Sequence, residues 1–122
     1  MAPVQRERTE KGTYGMRIES MTPGLMTKNR LTSPRGVFIR KVKPGSRAFR
    51  DGLRAGMVIR EFTYRASGDR TVPVRVILGG LEDFENILQK IPPGSNILAR
   101  LSRGSIRGER TFFRVLRNIR PR

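Results

Sequence analysis

Between residues 11 and 20 the chain reads KGTYGMRIES, and its centre, Tyr14-Gly15-Met16, sets a glycine between two large apolar residues. The apolar pair anchors such a loop to a core, while Gly15 lets the backbone approach a neighbour closely or take an unusual φ. Successive amide N–H groups in a bend of this kind converge on one point and suit an anion such as a carboxylate. The strand expected next, Met16–Ser20, would then offer its edge to an extended chain. An ordinary glycine turn before an ordinary strand accounts for the same residues, so the motif takes its weight from its surroundings. A second stretch carries charge. Arg100, Arg103, Arg107, Arg110, Arg114 and Arg117, with Arg120 and Arg122 beyond them, are opposed only by Glu109. Alternate residues of a strand share a face, so several of these guanidinium groups would form a basic stripe in a hairpin. Nucleic acid or another polyanion suits such a stripe, and a solvated face is the rival explanation. Aromatic residues for base stacking are few: Phe112 and Phe113 are adjacent, so one faces the core and the other is the single stacking candidate.

Other chemistries are closed by composition. The 122 residues include no Cys and no His. Thiol nucleophiles, disulfides, thiolate or imidazole metal sites and the Ser-His-Asp arrangement are therefore unavailable. No catalytic residue, metal or cofactor is expected, and the chain by itself is read as a non-enzyme. The formal net charge is +16, from 26 basic against 10 acidic residues. That field draws phosphate polymers and acidic surfaces whatever the fold, although a GC-rich genome and a solvated basic face produce the same excess. Hydrophobic residues make up 36% of the chain, and no run approaches a membrane span or a signal-peptide core, so no membrane insertion is expected.

The elements that must position these residues come from one domain-sized chain. Residues 1–10 are polar and aperiodic, and read as a disordered lead-in or linker. The strand over 14–20 runs into Pro23, which suits a helix start over 23–29 carrying Leu25 and Met26. A turn at 33–36 launches the β-branched and aromatic strand 37–42. Ser46 is placed to cap a short helix over 47–51, stopped by Gly52. Residues 57–64 alternate as a strand. Residues 70–78 hold Val72, Val74 and Val76 around Pro73, so at most an edge strand is expected. Residues 81–91 form the clearest helix, with Leu81, Phe84, Ile87, Leu88 and Ile91 on one face. Two final strands are expected over 96–103 and 109–117, joined by a turn at 104–108, with 118–122 a basic tail. This order predicts a mainly β, α+β fold with two or three helices, a partly open barrel or sandwich capped by those helices.

From residue 11 to 117 the chain resembles a PDZ domain of the bacterial HtrA/Deg-like serine protease type. The resemblance rests on Tyr14-Gly15-Met16, on GVFIRKVKPGSRA from Gly36 to Ala48, on DGLRAGMVI from Asp51 to Ile59, and on residues 81–88 followed by Pro93-Gly94-Ser95. It implies that the amides of Tyr14, Gly15 and Met16 hold a peptide carboxylate and that a peptide pairs beside Met16, Arg17 and Ile18. Tyr14, Met16, Ile18 and Leu88 would form the pocket for its last side chain. Leu81 and Glu85, with Leu88, would line the helix wall of the groove, and Phe84 would face the core. The chain departs from the family pattern at Met57, where an acidic residue is usual, and in the longer segment between Phe62 and Leu81.

The resemblance further implies partners: protein C-termini or extended peptides, and a protease domain in the same parent chain that such binding would serve. It also implies a parent in the bacterial periplasm or attached to a membrane. Two readings stand beside it. One is polyanion binding by Arg100, Arg103, Arg110, Arg114 and Arg117. The other is an assembly module whose groove is filled by its own N-terminal arm or by the segment at 66–80.

Overall fold

The computed structural model describes residues 14–65, 73–117 and 119. In chain order they form β1 (Met16–Ser20), α1 (Pro23–Lys28), β2 (Val37–Val42), α2 (Arg47–Arg50), β3 (Val58–Arg65), β4 (Pro73–Ile77), α3 (Leu81–Lys90), β5 (Asn96–Ser105) and β6 (Gly108–Arg117). The expected lead-in at 1–10, the tail at 118–122 save Ile119, and the first part of the 66–80 segment lie outside the described residues.

The fold class is the expected one: six strands and three helices. The strands make one antiparallel sheet in the order β1-β2-β3-β5-β6, and β4 pairs with β3 off that path. β1 and β6 are thus the two ends of the order. β3 and β4 make an antiparallel hairpin running from Glu61 opposite Ile77 to Arg65 opposite Pro73. Pro73 has no N–H to give, so its place at the start of a strand with a single partner follows from its chemistry.

One apolar cluster holds the sheet to α3. Ile18, Ile39, Ile59, Phe62, Leu101 and Leu116 are each at most 1% exposed, and Phe84 of α3 tilts against Phe62 with ring centroids 5.6 Å apart. Burial of each such side chain stabilises the fold by about 1.5–3 kcal/mol before cavity effects. The helical period had placed Phe84 on the core face, and it is there. A smaller cluster of Met21, Leu31, Phe38 and Val58 lies under α1, which covers it with Leu25 and Met26.

Local rules set the short helices. Thr22 Oγ1 accepts the Leu25 N–H (3.1 Å) at the start of α1, and Ser46 Oγ accepts the Phe49 N–H (3.2 Å) at the start of α2. Element ends that fall among the described residues lie within two residues of the sequence reading: β1 starts at Met16 rather than residue 14, and the start expected for β4 at residue 70 lies outside the described residues. The expected turn over 104–108 is shorter: β5 continues to Ser105 and β6 begins at Gly108. Gly104 is not a turn glycine. A Cβ there would overlap the backbone carbonyl of Asn29, so the residue is small because the chain end of α1 presses on the strand. Among the described residues no helix is long and apolar enough to cross a membrane.

Candidate functional site

The curl ahead of β1 is built on the segment that enters α2. Gly15 has φ +110°, and a Cβ at that position would overlap the side chain of Ser46. Both uses foreseen for a glycine here, positive φ and close approach, are therefore realised. The Ala48 N–H donates to the Tyr14 carbonyl (3.1 Å), and the Lys43 N–H donates to the Gly15 carbonyl (2.9 Å). Two consecutive carbonyls of the curl are thus committed to residues 43–48.

That commitment fixes where the amides point. No peptide bond here is cis, and a trans peptide directs N–H and C=O to opposite sides. The Gly15 N–H therefore turns away from residue 48, and the Met16 N–H turns away from residue 43. The β1–β2 ladder leads to the same result. Met16 pairs with Val42, and the Lys43-to-Gly15 bond brackets that pair, which makes it a non-hydrogen-bonded pair. The N–H and C=O of Met16 consequently face outward from β2, on the side where no described strand pairs with β1.

Helix α3 packs against β1. Its first turn is tied to the strand's last residue, since the Leu81 N–H donates to Ser20 Oγ at 2.8 Å. Leu81, Glu85 and Leu88 occupy one stripe of the helix by their four- and three-residue spacing. Leu81 is buried in the core cluster, Glu85 is half-buried, and Leu88 is half-buried and packs on the cluster from outside. On the strand, Met16 and Ile18 are buried and Arg17 is half-buried. The expected peptide-side residues are therefore brought together along one strand and one helix.

Tyr14 lies in the same apolar cluster as Met16 and Ile18, and its hydroxyl has a partner of its own. Its ring is buried, its hydroxyl donates to Asp51 Oδ2 at the end of α2, and the Arg47 guanidinium stands 6.0 Å from the ring centre. Burial, then the Asp51 hydrogen bond and the Asp51 charge, hold the phenol protonated far above its ordinary range. The same Asp51 Oδ2 accepts the Arg117 N–H at 2.8 Å. The Tyr14 side chain thus braces the curl from within the protein: its ring belongs to the apolar cluster with Met16 and Ile18, and its hydroxyl is tied to Asp51.

The expected basic stripe is divided by the hairpin register. Cross-strand pairs share a face, so Arg103 and Arg110, directly opposite, lie with Arg114, which faces Ala99. Arg100 is opposite Phe113 on the other face, and it approaches the buried Glu61, which also holds Arg75. Arg117 pairs with Asp51. Phe112 packs on the core while Phe113 is 51% exposed, the split foreseen for adjacent strand residues.

Glu109 does not oppose this stripe, contrary to the sequence reading. It accepts the Thr32 N–H (2.7 Å), the Thr32 hydroxyl (2.8 Å) and the buried Arg60 guanidinium (3.1 Å). Burial disfavours its charge, but the Thr32 and Ser102 hydrogen bonds and the Arg60 charge prevail and lower its pKa to about 2. The roles of Ser20, Asp51 and Glu109 carried no local sequence signal, because Leu81, Tyr14, Thr32 and Arg60, which they hold, lie more than 30 positions away from them.

No family model matches this sequence, and no curated protein sequence matches it. Among solved structures, the HtrA3 PDZ domain bound to the phage-derived ligand FGRWV aligns with a TM-score of 0.55 at 17% sequence identity. The alignment covers 93% of this chain and 86% of that one. The fold is therefore PDZ-like.

Proposed function

We propose that this domain binds C-terminal or extended segments of other proteins by strand addition to β1, with the carboxylate at the Tyr14-Gly15-Met16 curl. The observation that carries this reading is the outward N–H and C=O of Met16, beside a Gly15 amide whose neighbouring carbonyl is already committed. Main-chain groups at an open sheet edge pair with any extended backbone, so affinity needs no particular side chain. Selectivity then falls to the helix stripe of Leu81, Glu85 and Leu88 and to the half-buried Arg17. The fold neighbour's peptide ligand, FGRWV, supports an extended peptide as the partner class.

The chemistry asked of the site is recognition alone. We assign the domain the part of a recruiting or regulatory module in a larger HtrA-like protease, where peptide occupancy is relayed to a catalytic domain. A screen of peptides with free and amidated C-termini tests the binding reading. Apolar C-terminal peptides should bind, and amidation should weaken them by about tenfold or more, as expected for loss of a charge-assisted hydrogen-bonded group. Equal binding of both forms would remove the carboxylate from the account.

A further inference from the structure

At the opposite end of the sheet order from β1, the β5–β6 hairpin covers a second concave site. It is a cleft of about 390 Å³ lined by Met57, Arg103, Arg110, Thr111, Phe112 and Arg114. Three of those six residues are arginines and none is acidic. Arg103 and Arg110 are directly cross-strand, an arrangement in which like charges repel. The acid next in sequence, Glu109, spends its carboxylate on Thr32 and Arg60. Among the described residues no carboxylate pairs with Arg103, Arg110 or Arg114, although Glu19, Glu61, Asp51 and Glu109 each hold another arginine.

Arg114 is held in place without an acid. Its guanidinium lies 5.0 Å from the Phe112 ring centre, and Nη1 donates to the Phe113 carbonyl at 2.9 Å. It also lies over Gly52, where a Cβ would sit 2.8 Å from Nε. A guanidinium fixed by an aromatic face and a carbonyl keeps other N–H groups free for an anion. Base stacking is not what this cleft offers, since the Phe112 ring is half-buried and partnered by Arg114.

We infer that this cleft binds the phosphate groups of a polyphosphate or phosphodiester chain through Arg103, Arg110 and Arg114, independently of the β1 edge. Phosphate oxygens match the planar fork of arginine, and a multiply charged chain relieves the Arg103–Arg110 repulsion that the fold leaves uncompensated. Inorganic polyphosphate and a nucleic-acid backbone share this chemistry.

The test is titration calorimetry of the full chain with sodium tripolyphosphate and, separately, with a short oligothymidylate. Three proteins are compared: the unmodified chain, Arg103→Ala/Arg110→Ala, and a control of equal charge loss, Lys41→Ala/Lys90→Ala. The inference expects the first pair of substitutions to weaken tripolyphosphate by about tenfold or more and the control to change it by less than about threefold. Arg103→Lys/Arg110→Lys keeps the charge but loses the fork, and should fall between them, which guards against misfolding as the cause. Tighter binding of oligothymidylate with the same Arg dependence assigns the natural source to nucleic acid; tighter tripolyphosphate assigns it to polyphosphate. Absence of tripolyphosphate binding, or an equal loss in the control, overturns the inference.

Discussion

The backbone of Gly15 lies so close to Ser46 that a Cβ at position 15 would overlap the serine side chain. The curl that aims the Gly15 and Met16 amides outward is thus seated on the residue that caps α2. Gly15→Ala meets both that overlap and the φ of +110°. It should cost about 2–3 kcal/mol in urea unfolding and remove peptide binding. Adding Ser46→Gly should recover part of the stability, because glycine at a helix cap costs only about a few tenths of a kcal/mol. No recovery in the double variant would show that the overlap is not the cause.

Tyr14 and Asp51 make the second test. Tyr14→Phe keeps the buried ring and deletes the hydroxyl, leaving Asp51 with the Arg117 N–H and guanidinium. The expected loss is about 1–2 kcal/mol. With the phenol held protonated by burial and by Asp51, the Tyr14 ring resonances should show no ionisation as pH rises past its ordinary value of about 10 while the fold persists.

Glu109 sets an acid limit. Its pKa is lowered from 4.5 to about 2 in the folded protein, so the folded state favours the ionised form. The stability this contributes is fully present above about pH 4.5 and is lost as pH falls towards 2. Glu109→Gln should lower stability at pH 7 by about 1–3 kcal/mol, since it strips the charge from Thr32 and Arg60. Its stability should also fall less steeply between those pH values, and parallel acid curves for the two proteins would contradict the assignment.

Ser20 ties the end of β1 to the start of α3 through the Leu81 N–H. Ser20→Ala should cost about 0.5–1.5 kcal/mol and speed hydrogen exchange at the Leu81 amide. Because the tie sets the spacing of strand and helix at one end, peptide affinity should fall with little change in the exchange of the β5–β6 ladder.

Much of the frame was legible because it rests on local rules. The period of Leu81, Phe84 and Ile87 marks α3, Ser46 caps α2, β-branched residues mark β2, and Pro73 confines β4 to a single neighbour. What was not legible depends on register and long-range contact. Gly104 looks like a turn residue in sequence and is a packing residue against Asn29. The arginine series looks like one stripe, yet pairing of Arg103 with Arg110 and of Arg100 with Phe113 sends its members to two faces. Tyr14 shares the apolar cluster with Met16 and Ile18, but the partner of its hydroxyl, Asp51, lies 37 positions away and left no local signal.

The most direct measurement is an amide chemical-shift titration of the domain with an apolar peptide carrying a free C-terminus, repeated with its amidated form. The account predicts large shifts at Gly15 and Met16 with the free acid, shifts along β1 and α3, and loss of the Gly15 response on amidation. Saturable binding that leaves Gly15 and Met16 unmoved, with shifts centred elsewhere on the sheet, would contradict it.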